Sequence, residues 1–336
     1  MKVLKAFGIS ILVLLILGGV FLFWFNATFP KVGEPGKLKV EMTAEHIARG
    51  KYLANHVTVC MDCHSSRDWT KFSGPMVPGT EGRGGDKFTE ELGGVPGIIF
   101  SSNITPAGIG DYTDGELLRA FTQGVTASHR ALFPLMPYPA YNKLSMTDAE
   151  AIVAYIRSLE PIKNSVPVSE LNFPMNLIVK TIPLESFNPS PEPDTNNFLA
   201  YGKYLTTIAA CGDCHTPAEK GTPIPGMDFA GGFTFQMPGG LLSSSNITPD
   251  KETGIGSWTK EQFITRFKTF DSDSGKNIPV ADIYDFNSVM PWTMYAGMTE
   301  RDLGAIYEYL QTRKPVVNKI NRWDGSKQLP GMMVNQ

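Results

Sequence analysis

Two short clusters carry all four cysteines of the chain, and both have the spacing C-x-x-C-H. The first cluster is C-M-D-C-H and the second is C-G-D-C-H: Cys60, Cys63 and His64; Cys211, Cys214 and His215. This pattern is typical of covalent haem attachment. Two thiols three positions apart at the start of a helix can each bond one vinyl group of a porphyrin, and the following His becomes the proximal iron ligand. The clusters therefore predict two covalently bound haem c groups.

Four cysteines could also form disulfides, a redox-active dithiol or a zinc site, and the spacing of the two clusters helps to distinguish these alternatives from haem attachment. Two disulfides would suit an exported chain, one pair could be a thioredoxin-like dithiol, and two pairs could form a Cys₄ zinc site. A dithiol motif needs no following His, and neither does a zinc ribbon. The two pairs are also 148 residues apart, in separate repeats. Haem attachment is favoured, with disulfides and zinc as the alternatives.

A tandem repeat surrounds the two clusters. The sequence G-K-Y-L precedes them at 50–53 and 202–205, and S-N-I-T-P follows them at 102–106 and 245–249. Each S-N-I-T-P is followed by G-I-G. The repeat indicates that each cluster belongs to the same kind of structural unit.

Helix starts also recur at constant offsets. Thr113-x-x-Glu116 is a capping-box pattern that returns 146 residues later from Thr259. A second predicted helix start lies at Ser145 and returns 154 residues later at Thr299. Apolar residues at helical spacing follow these starts. The sequence therefore predicts an all-α fold, a duplicated helical unit with long Gly/Pro-rich loops.

Met136 and Met290 are the predicted sixth ligands of the two irons. Each precedes Pro on a loop between the middle and last helices of its repeat. A thioether is a neutral, soft donor that raises the reduction potential relative to a second His. Methionine also fills gaps in protein cores, and the chain has fourteen. The substitutes are Met76 or His129 in the first half and Met294 or Met298 in the second.

Matched residues are predicted to surround these ligands. The aromatic ones are expected to wall the pockets: Tyr138, Tyr141, Trp292 and Tyr295. Asn103 and Asn246 either donate to a haem propionate or cap a turn. Pro78 and Pro225 lie in V/I-P-G turns, where a carbonyl is expected to meet the proximal His and set its tautomer.

The N-terminus predicts an uncleaved membrane anchor. Residues 6–25 contain no charged side chain, and this uncharged stretch is long enough to cross a bilayer as a helix. Lys2 and Lys5 precede this stretch and Trp24 lies near its end, so the N-terminus is expected inside and the body outside. The alternative is a cleaved signal peptide, but residues 25–29 are a poor cleavage site.

Charge excludes one class of partner. The formal net charge is −3, and no basic run of the kind that grips phosphate backbones is present. Without Lys2 and Lys5 the chain has 28 basic and 33 acidic residues, a net charge of −5. Nucleic acid is therefore not expected as a partner.

The composition and repeats predict six segments. They are a transmembrane anchor (1–29), a tether (30–42), a first domain (43–165), a Pro-rich linker (166–195), a second domain (196–318) and a tail (319–336).

Taken together, the repeated motifs resemble the cytochrome c subunits of membrane-bound alcohol, aldehyde and gluconate dehydrogenases. The motifs are C-x-x-C-H, S-N-I-T-P, G-I-G, M-P-x-x-x-Y and D-x-x-A-I-x-x-Y, over roughly residues 43–165 and 196–318. The stretch 136–141 is especially similar. The resemblance implies two tandem class I-like cytochrome c domains. Those subunits usually carry three such units, whereas this chain has two and an N-terminal anchor.

The expected function is electron transfer at the periplasmic side of the inner membrane. The donor would be a dehydrogenase or a quinol-oxidising complex, and the acceptor a downstream protein such as a terminal oxidase. The alternative is a diheme enzyme of the peroxidase or thiosulfate-oxidising type. A peroxidase needs an open iron position, and thiosulfate-type sites often use a Cys ligand, for which no fifth Cys exists. The twin Met-Pro motifs therefore favour a carrier.

Overall fold

The computed structural model describes residues 2–91, 94–219 and 221–327. The predicted tail beyond residue 327 lies outside the described residues. Helices dominate, as predicted, and short antiparallel strands that the all-α prediction did not include form three small sheets in the described part of the chain.

Five of the described helices of the first half recur in the same order in the second half. Those of the first half are α1 (Lys2–Thr28), α2 (Ala44–Tyr52), α3 (Cys60–His64), α4 (Pro106–Ile109), α5 (Asp114–Gln123), α6 (Tyr138–Tyr141), α7 (Met146–Arg157) and α8 (Met175–Ile178). Those of the second half are α9 (Phe198–Ile208), α10 (Cys211–His215), α11 (Lys260–Lys268), α12 (Asp273–Lys276), α13 (Trp292–Tyr295) and α14 (Glu300–Gln311). A π-helical segment continues α2, and two 3₁₀ turns complete the set: Leu53–Val57, Val179–Thr181 and Gly325–Lys327.

The strands also recur in the two halves. The bounds are β1 (Lys87–Phe88), β2 (Gly97–Phe100), β3 (Glu170–Leu171), β4 (Ala218–Glu219), β5 (Thr222–Pro223), β6 (Thr234–Met237), β7 (Gly240–Ser243) and β8 (Trp323–Asp324). The sheets have the orders β1-β2-β3, β4-β5 and β6-β7-β8. In both three-stranded sheets the last strand follows one of two matched helices, with β3 after α7 and β8 after α14. The start of the predicted linker and the start of the predicted tail therefore have the same role.

The predicted helix starts are confirmed. Thr113 and Thr259 each accept a hydrogen bond from the backbone N–H three residues on. The Glu116 and Gln262 side-chain oxygens accept from the N–H of Thr113 and Thr259, which completes both capping boxes. The Ser145 and Thr299 side chains cap α7 and α14 by accepting from the backbone N–H of Asp148 and Asp302.

The glycine of each G-K-Y-L motif allows two helices to cross closely. A Cβ on Gly50 would lie 1.8 Å from the Ala151 carbonyl oxygen, so α2 packs directly on α7. A Cβ on Gly202 would lie 2.0 Å from the Ala305 oxygen, and α9 packs on α14. No larger residue fits at either crossing.

One hydrophobic cluster runs through both halves. It includes Leu53 and Ile152 from the first half and Leu205 and Ile306 from the second. The Tyr of each G-K-Y-L motif also crosses between halves. Tyr52 and Tyr204 each bond the acidic residue in the first turn of the opposite repeat's last helix: Asp302 at 2.5 Å and Asp148 at 2.7 Å. The two repeats therefore share a core and exchange contacts.

Helix α1 is long and apolar enough to cross a membrane, and its apolar side chains are exposed. Its 27 residues span about 40 Å at 1.5 Å per residue. The last turn of α1 contacts the first half, since Lys180 Nζ donates to Asn26 Oδ1 at 2.5 Å. Lys31 pairs with Glu185 at 2.6 Å just beyond the helix.

Candidate haem sites

The first half contains a cavity of about 570 Å³. All four predicted first-site residues line it: Cys60, Cys63, His64 and Met136. The other walls are mainly apolar and include Phe121, Tyr141 and Ile152. Its volume is within the range of about 300–1,000 Å³ that is common for cofactor pockets.

The second half contains a cavity of about 830 Å³ with the equivalent lining. It gathers the other four predicted site residues: Cys211, Cys214, His215 and Met290. Phe263, Trp292 and Tyr295 contribute aromatic wall. The structure therefore brings the eight predicted residues together as two sets of four.

A left-handed residue begins each C-x-x-C-H helix. Val59 has φ +43° and Ala210 has φ +52°, immediately before α3 and α10. A non-glycine residue in this region costs about 1–3 kcal/mol and persists where the surroundings hold it. The same strained position in both halves aims both cysteine pairs at their cavities.

The Tyr of each M-P-x-x-x-Y motif provides one such restraint. The Tyr141 hydroxyl donates to the Thr58 carbonyl at 2.6 Å, and the Tyr295 hydroxyl donates to the Ala209 carbonyl at 3.0 Å. Each acceptor lies two residues before the first Cys of its cluster. The motif therefore ties the methionine loop to the cysteine helix across the cavity.

The proximal histidines are held in one tautomer. His64 Nδ1 lies 2.7 Å from the Ser102 carbonyl oxygen, and His215 Nδ1 lies 2.7 Å from that of Ser245. A carbonyl can only accept, so Nδ1 must carry the proton and Nε2 keeps a free lone pair. Burial also lowers the pKa of both rings, which keeps them neutral. A neutral imidazole with free Nε2 is a ready metal ligand.

This arrangement corrects the expectation for Pro78 and Pro225. The carbonyl that accepts from each His belongs to the serine of S-N-I-T-P, which is Ser102 in the first half and Ser245 in the second. It does not belong to the V/I-P-G turn. Gly84 and Gly231 permit the approach, because their N–H groups donate to the His64 and His215 carbonyls at 2.8 and 2.7 Å. A Cβ on either glycine would lie within 2.4 Å of the serine carbonyl carbon.

The thiols are neither paired nor activated. None of the four cysteines, all in the described part of the chain, forms a disulfide. Burial raises the pKa of each thiol, to about 12 for Cys211 and Cys214, so the free thiolate that a dithiol catalyst needs is disfavoured. The described residues contain no cluster of three or more His, Cys, Asp or Glu side chains suited to a metal ion.

The methionine loops have the same turn in both halves. The Tyr138 N–H donates to the Met136 carbonyl at 2.7 Å, and the Trp292 N–H donates to the Met290 carbonyl at 2.8 Å. The intervening prolines have φ near −76° and −79° with ψ near 55° and 62°, which is an inverse γ-turn.

The substitute ligands differ in position. His129 lines the first cavity, but its Nε2 lies 3.2 Å from the Pro30 carbonyl oxygen. Met298 lines the second cavity and is buried. Met76 and Met294 pack in a separate hydrophobic cluster and line neither cavity.

Other matched residues have structural roles. The Asn103 and Asn246 side-chain oxygens accept from Thr105 and Thr248, and their amides donate to the Ile162 and Val316 carbonyls. They cap turns, one of the two roles expected. Of the four aromatic residues, Tyr138 is fully buried but does not line the cavity.

Several lining residues were not foreseen from the sequence. Asn26 and Phe29 from the end of α1 line the first cavity, and Phe72 from the first half lines the second. Basic residues also face the cavities: Arg130 and Lys180 in the first, Arg266 and Arg322 in the second. Only the serine carbonyls carried a sequence signal, because they belong to a repeated motif.

Arg266 and Arg322 form a like-charged pair in the second cavity. Burial, and then the nearby Arg322 guanidinium, lower the pKa of Arg266. Within the described residues neither arginine forms a salt bridge. Arg266 lies over the Trp292 ring at 4.8 Å. Two unpaired guanidinium groups at a cavity wall suit an anionic group inside it.

Several curated proteins similar to this chain are cytochrome subunits of dehydrogenases. The alcohol dehydrogenase (quinone) subunit of Gluconacetobacter polyoxogenes is 29% identical over 289 residues, 80% of this chain and 56% of the relative. The gluconate 2-dehydrogenase subunit of Pantoea cypripedii is 28% identical over 285 residues, 79% and 59%. The fructose dehydrogenase subunit of Gluconobacter japonicus is 29% identical over 287 residues, 79% and 52%.

The predicted resemblance to cytochrome c subunits of membrane dehydrogenases is thereby confirmed. It implies covalently bound haem c and supports electron transfer. The chain spans just over half the length of these relatives. No protein-family model matches the chain.

Proposed function

We propose that this chain is a membrane-anchored diheme c-type cytochrome that transfers electrons on the periplasmic side of the inner membrane. Each haem would be attached through two thioethers and ligated by His and Met. The proposed sets are Cys60, Cys63, His64 and Met136 for the first haem, and Cys211, Cys214, His215 and Met290 for the second.

The observation that carries the proposal is the convergence of each set on one apolar cavity of cofactor size. The fit extends to the chemistry of the donors. The thiols are neutral, the imidazole Nε2 is free, and a methionine loop completes each cavity. When bound, haem c supplies one-electron redox chemistry.

The protein's contribution would be to hold the ligands and exclude water. Tyr141 and Tyr295 fix the methionine loop to the cysteine helix in their halves. Aromatic and aliphatic walls leave few polar groups to solvate the iron. If His and Met both ligate the iron, no iron position would remain for a substrate. This favours a carrier over the alternative, a peroxidase or thiosulfate-oxidising enzyme.

Transfer between the haems is favoured by the proximity of the two sites. The Asp62 carboxylate of the first cluster acts electrostatically on Cys214 and Tyr295 of the second half. The Asp213 carboxylate of the second cluster acts on Tyr141 of the first. Charges in one site therefore influence the other, which requires the cysteine helices to lie near each other.

The basic residues at each cavity would hold the haem propionates. Arg266 and Arg322 both line the second cavity, and each guanidinium group is close enough to the other to act on it electrostatically. Arg130 and Lys180 are the corresponding cations in the first. Pairing with propionates would offset the repulsion between the guanidinium groups.

The location follows from α1 and the residues that line the first cavity. If α1 crosses the membrane, Asn26 and Phe29 at its outer end bring the first haem site to the membrane surface. No described residue of α1 lines the second cavity. The proposed electron-transfer partners are a membrane dehydrogenase or another respiratory complex, because the similar proteins are named as dehydrogenase subunits.

We further propose that residues 43–165 and 196–318 are two tandem class I-like cytochrome c domains, joined by residues 166–195. Matching helices, turns and cavity linings support this division. Because the two domains share a hydrophobic core, we expect them to unfold together as one cooperative unit.

A haem-stained denaturing gel tests the proposal directly. The full chain should stain, and Cys60 with Cys63 changed to Ala should leave one haem, as should the same change at Cys211 and Cys214. Pyridine haemochrome analysis should give two haems per chain and one in each double variant. An unstained full-length band would end the proposal.

The axial ligands are tested by near-infrared absorption of the oxidised protein. Met136→Ala and Met290→Ala should each remove the charge-transfer band of one Met-ligated haem while the haem stays attached. Met76→Leu is the control, because Met76 lines neither cavity. Fast turnover of hydrogen peroxide or thiosulfate by the untouched protein would favour the enzyme alternative.

A further inference from the structure

A loop of the first half packs on the methionine loop of the second half. We call residues 69–74 the bridging loop. The Phe72 N–H donates to the Ile278 carbonyl and the Val280 N–H donates to the Thr70 carbonyl, both at 2.8 Å. The Phe72 ring lies 5.7 Å from that of Phe270 and lines the second cavity. The first half therefore supplies part of the second site.

Ser73 is the residue of the bridging loop that contacts the proposed ligand loop. Its hydroxyl donates to the Met290 carbonyl at 2.6 Å and accepts from the Trp292 N–H at 3.0 Å. One hydroxyl thus bonds the peptide groups on both sides of Pro291. Ser73 is fully buried, so water does not compete for these bonds.

Ser73 is itself held rigidly. Its N–H donates to Asn287 Oδ1 at 2.8 Å, and its carbonyl accepts from Arg67 Nη2 at 2.6 Å. Asn287 also donates to the carbonyls of Trp69 and Lys71. Ser73 has φ +64°, a left-handed conformation that a non-glycine residue keeps only when its neighbours enforce it.

Within the part of the chain that the structure describes, the first site has no such clamp. The Met136 loop has the same inverse γ-turn, with Tyr138 N–H donating to the Met136 carbonyl at 2.7 Å. Among the described residues, no side chain hydrogen-bonds to the main chain of both Met136 and Tyr138. The two methionine loops therefore differ in restraint although their sequences match.

We propose that Ser73 is a positioning residue for the second haem, which keeps Met290 in the sixth ligand position from across the repeat boundary. The inference rests on the proposed function, because it takes Met290 as an iron ligand. A methionine can leave the iron only if its loop moves. Two buried hydrogen bonds to the loop oppose that movement, and their loss would increase the population in which the methionine is detached.

Ser73→Gly is the decisive variant. Glycine adopts φ +64° without strain, so the change removes the hydroxyl and leaves the backbone acceptable. The full-length protein should carry Met136→Ala as a common background, which leaves the second haem as the only source of the Met charge-transfer band. The readouts are that band, the reduction potential of the second haem and the affinity of the oxidised protein for imidazole.

The expected result is a specific weakening of Met290 ligation. Ser73→Gly should diminish the band, lower the potential and raise imidazole affinity at the second haem about tenfold, as loss of about 1.4 kcal/mol of restraint implies. Asn287→Ala should change all three in the same direction, because it frees Ser73. Thr122→Ala is the matched control: it removes another fully buried hydroxyl of the first half, bonded only to Leu118 of its own helix.

The outcomes separate this inference from the function it rests on. If Met290→Ala in the same background leaves the band intact, Met290 is not a ligand and both proposals fall. If Met290→Ala removes the band but Ser73→Gly retains the band, potential and imidazole affinity of the background, only the role of Ser73 is overturned. Equal changes in Thr122→Ala would also overturn it, because the effect would then be general destabilisation.

Discussion

The Tyr204 hydroxyl donates a hydrogen bond to Asp148 Oδ2 at 2.7 Å, although the two residues belong to different repeats. The same hydroxyl accepts from the Ser145 N–H at 3.1 Å, so it completes the start of α7. Arg49 adds two bonds to the Asp148 carboxylate, at 2.8 and 2.9 Å. Tyr52 makes the equivalent contacts at the start of α14, so each half contributes a tyrosine to the N-terminus of the other half's last core helix.

We predict that Tyr204→Phe lowers the free energy of unfolding by about 1.5–3 kcal/mol, the contribution typical of a hydrogen bond to a charged group. The change removes one oxygen and leaves the ring packing in place. Both haems should stay attached, and the Met charge-transfer bands should persist. Chemical denaturation followed by circular dichroism measures the loss.

Tyr307→Phe is the control for that substitution. The Tyr307 hydroxyl donates to the neutral Trp258 carbonyl at 2.6 Å within one half, so about 1 kcal/mol is expected. If both variants lost the same free energy of unfolding, the hydrogen bond between the repeats would contribute no more to stability than one within a repeat.

Gly84→Ala should disturb the first proximal His. Its Cβ would push the Ser102 carbonyl away from His64 Nδ1 and weaken the bond that makes the imidazole a stronger donor. A weaker donor stabilises ferric iron less, so the potential of the first haem should rise. The added overlap and left-handed strain should together lower stability by about 2–5 kcal/mol.

Gly79→Ala separates strain from displacement. Gly79 has φ +78°, close to the +66° of Gly84, but a Cβ there would meet nothing within 4 Å. This variant should lose only about 1–2 kcal/mol and leave both potentials unchanged. A redox titration that moves equally in both variants would refute the role of the Ser102 carbonyl.

Stability should depend on pH through Asp86. Burial raises the pKa of this carboxyl to about 6, Arg67 and Arg83 oppose the shift, and Asp62 reinforces it. The folded state then binds more protons than the unfolded state between about pH 4 and pH 6, so the free energy of unfolding should fall as pH rises through this window. Ionised Asp86 should also lower the potential of the nearby first haem.

Asp86→Asn should flatten both dependences. Denaturation midpoints and potentials measured from about pH 4 to pH 7 supply the test. An unchanged pH profile in the variant would assign the dependence to another group.

Arg266→Gln should lower the potential of the second haem and leave that of the first in place. The guanidinium adds positive charge to the second cavity, which disfavours ferric iron and offsets the anionic propionates. Arg301→Gln is the control, since Arg301 lines neither cavity and donates to the Thr195 carbonyl. Matching shifts in both variants would rule out a local effect.

The sequence was a good guide wherever the signal was local. The capping patterns at Thr113 and Thr259 correctly located the starts of α5 and α11, because a cap and its partner are only three residues apart. The C-x-x-C-H clusters and the Met-Pro loops were matched by position in the repeat. Their convergence on two cavities follows from helices that the same repeat encodes.

Contacts between distant segments were beyond its reach. Nothing around Ser73 marks it as a partner of Met290, which lies 217 residues later. The serine carbonyl at each proximal His was missed although its residue lies in the repeated S-N-I-T-P motif, because a repeated motif does not show which backbone oxygen meets the imidazole. The short strands were missed as well, because two- to four-residue ladders such as β1 and β3 have no measurable periodicity.

The exchanged tyrosines bear on how such a duplicated gene can evolve. If the coding sequence were cut between the repeats, the first product would keep Asp148 without Tyr204, and the second would keep Asp302 without Tyr52. Each fragment would also expose half of a common core to water. Loss of either copy would therefore destabilise the one that remains, so the contacts between the repeats favour keeping both.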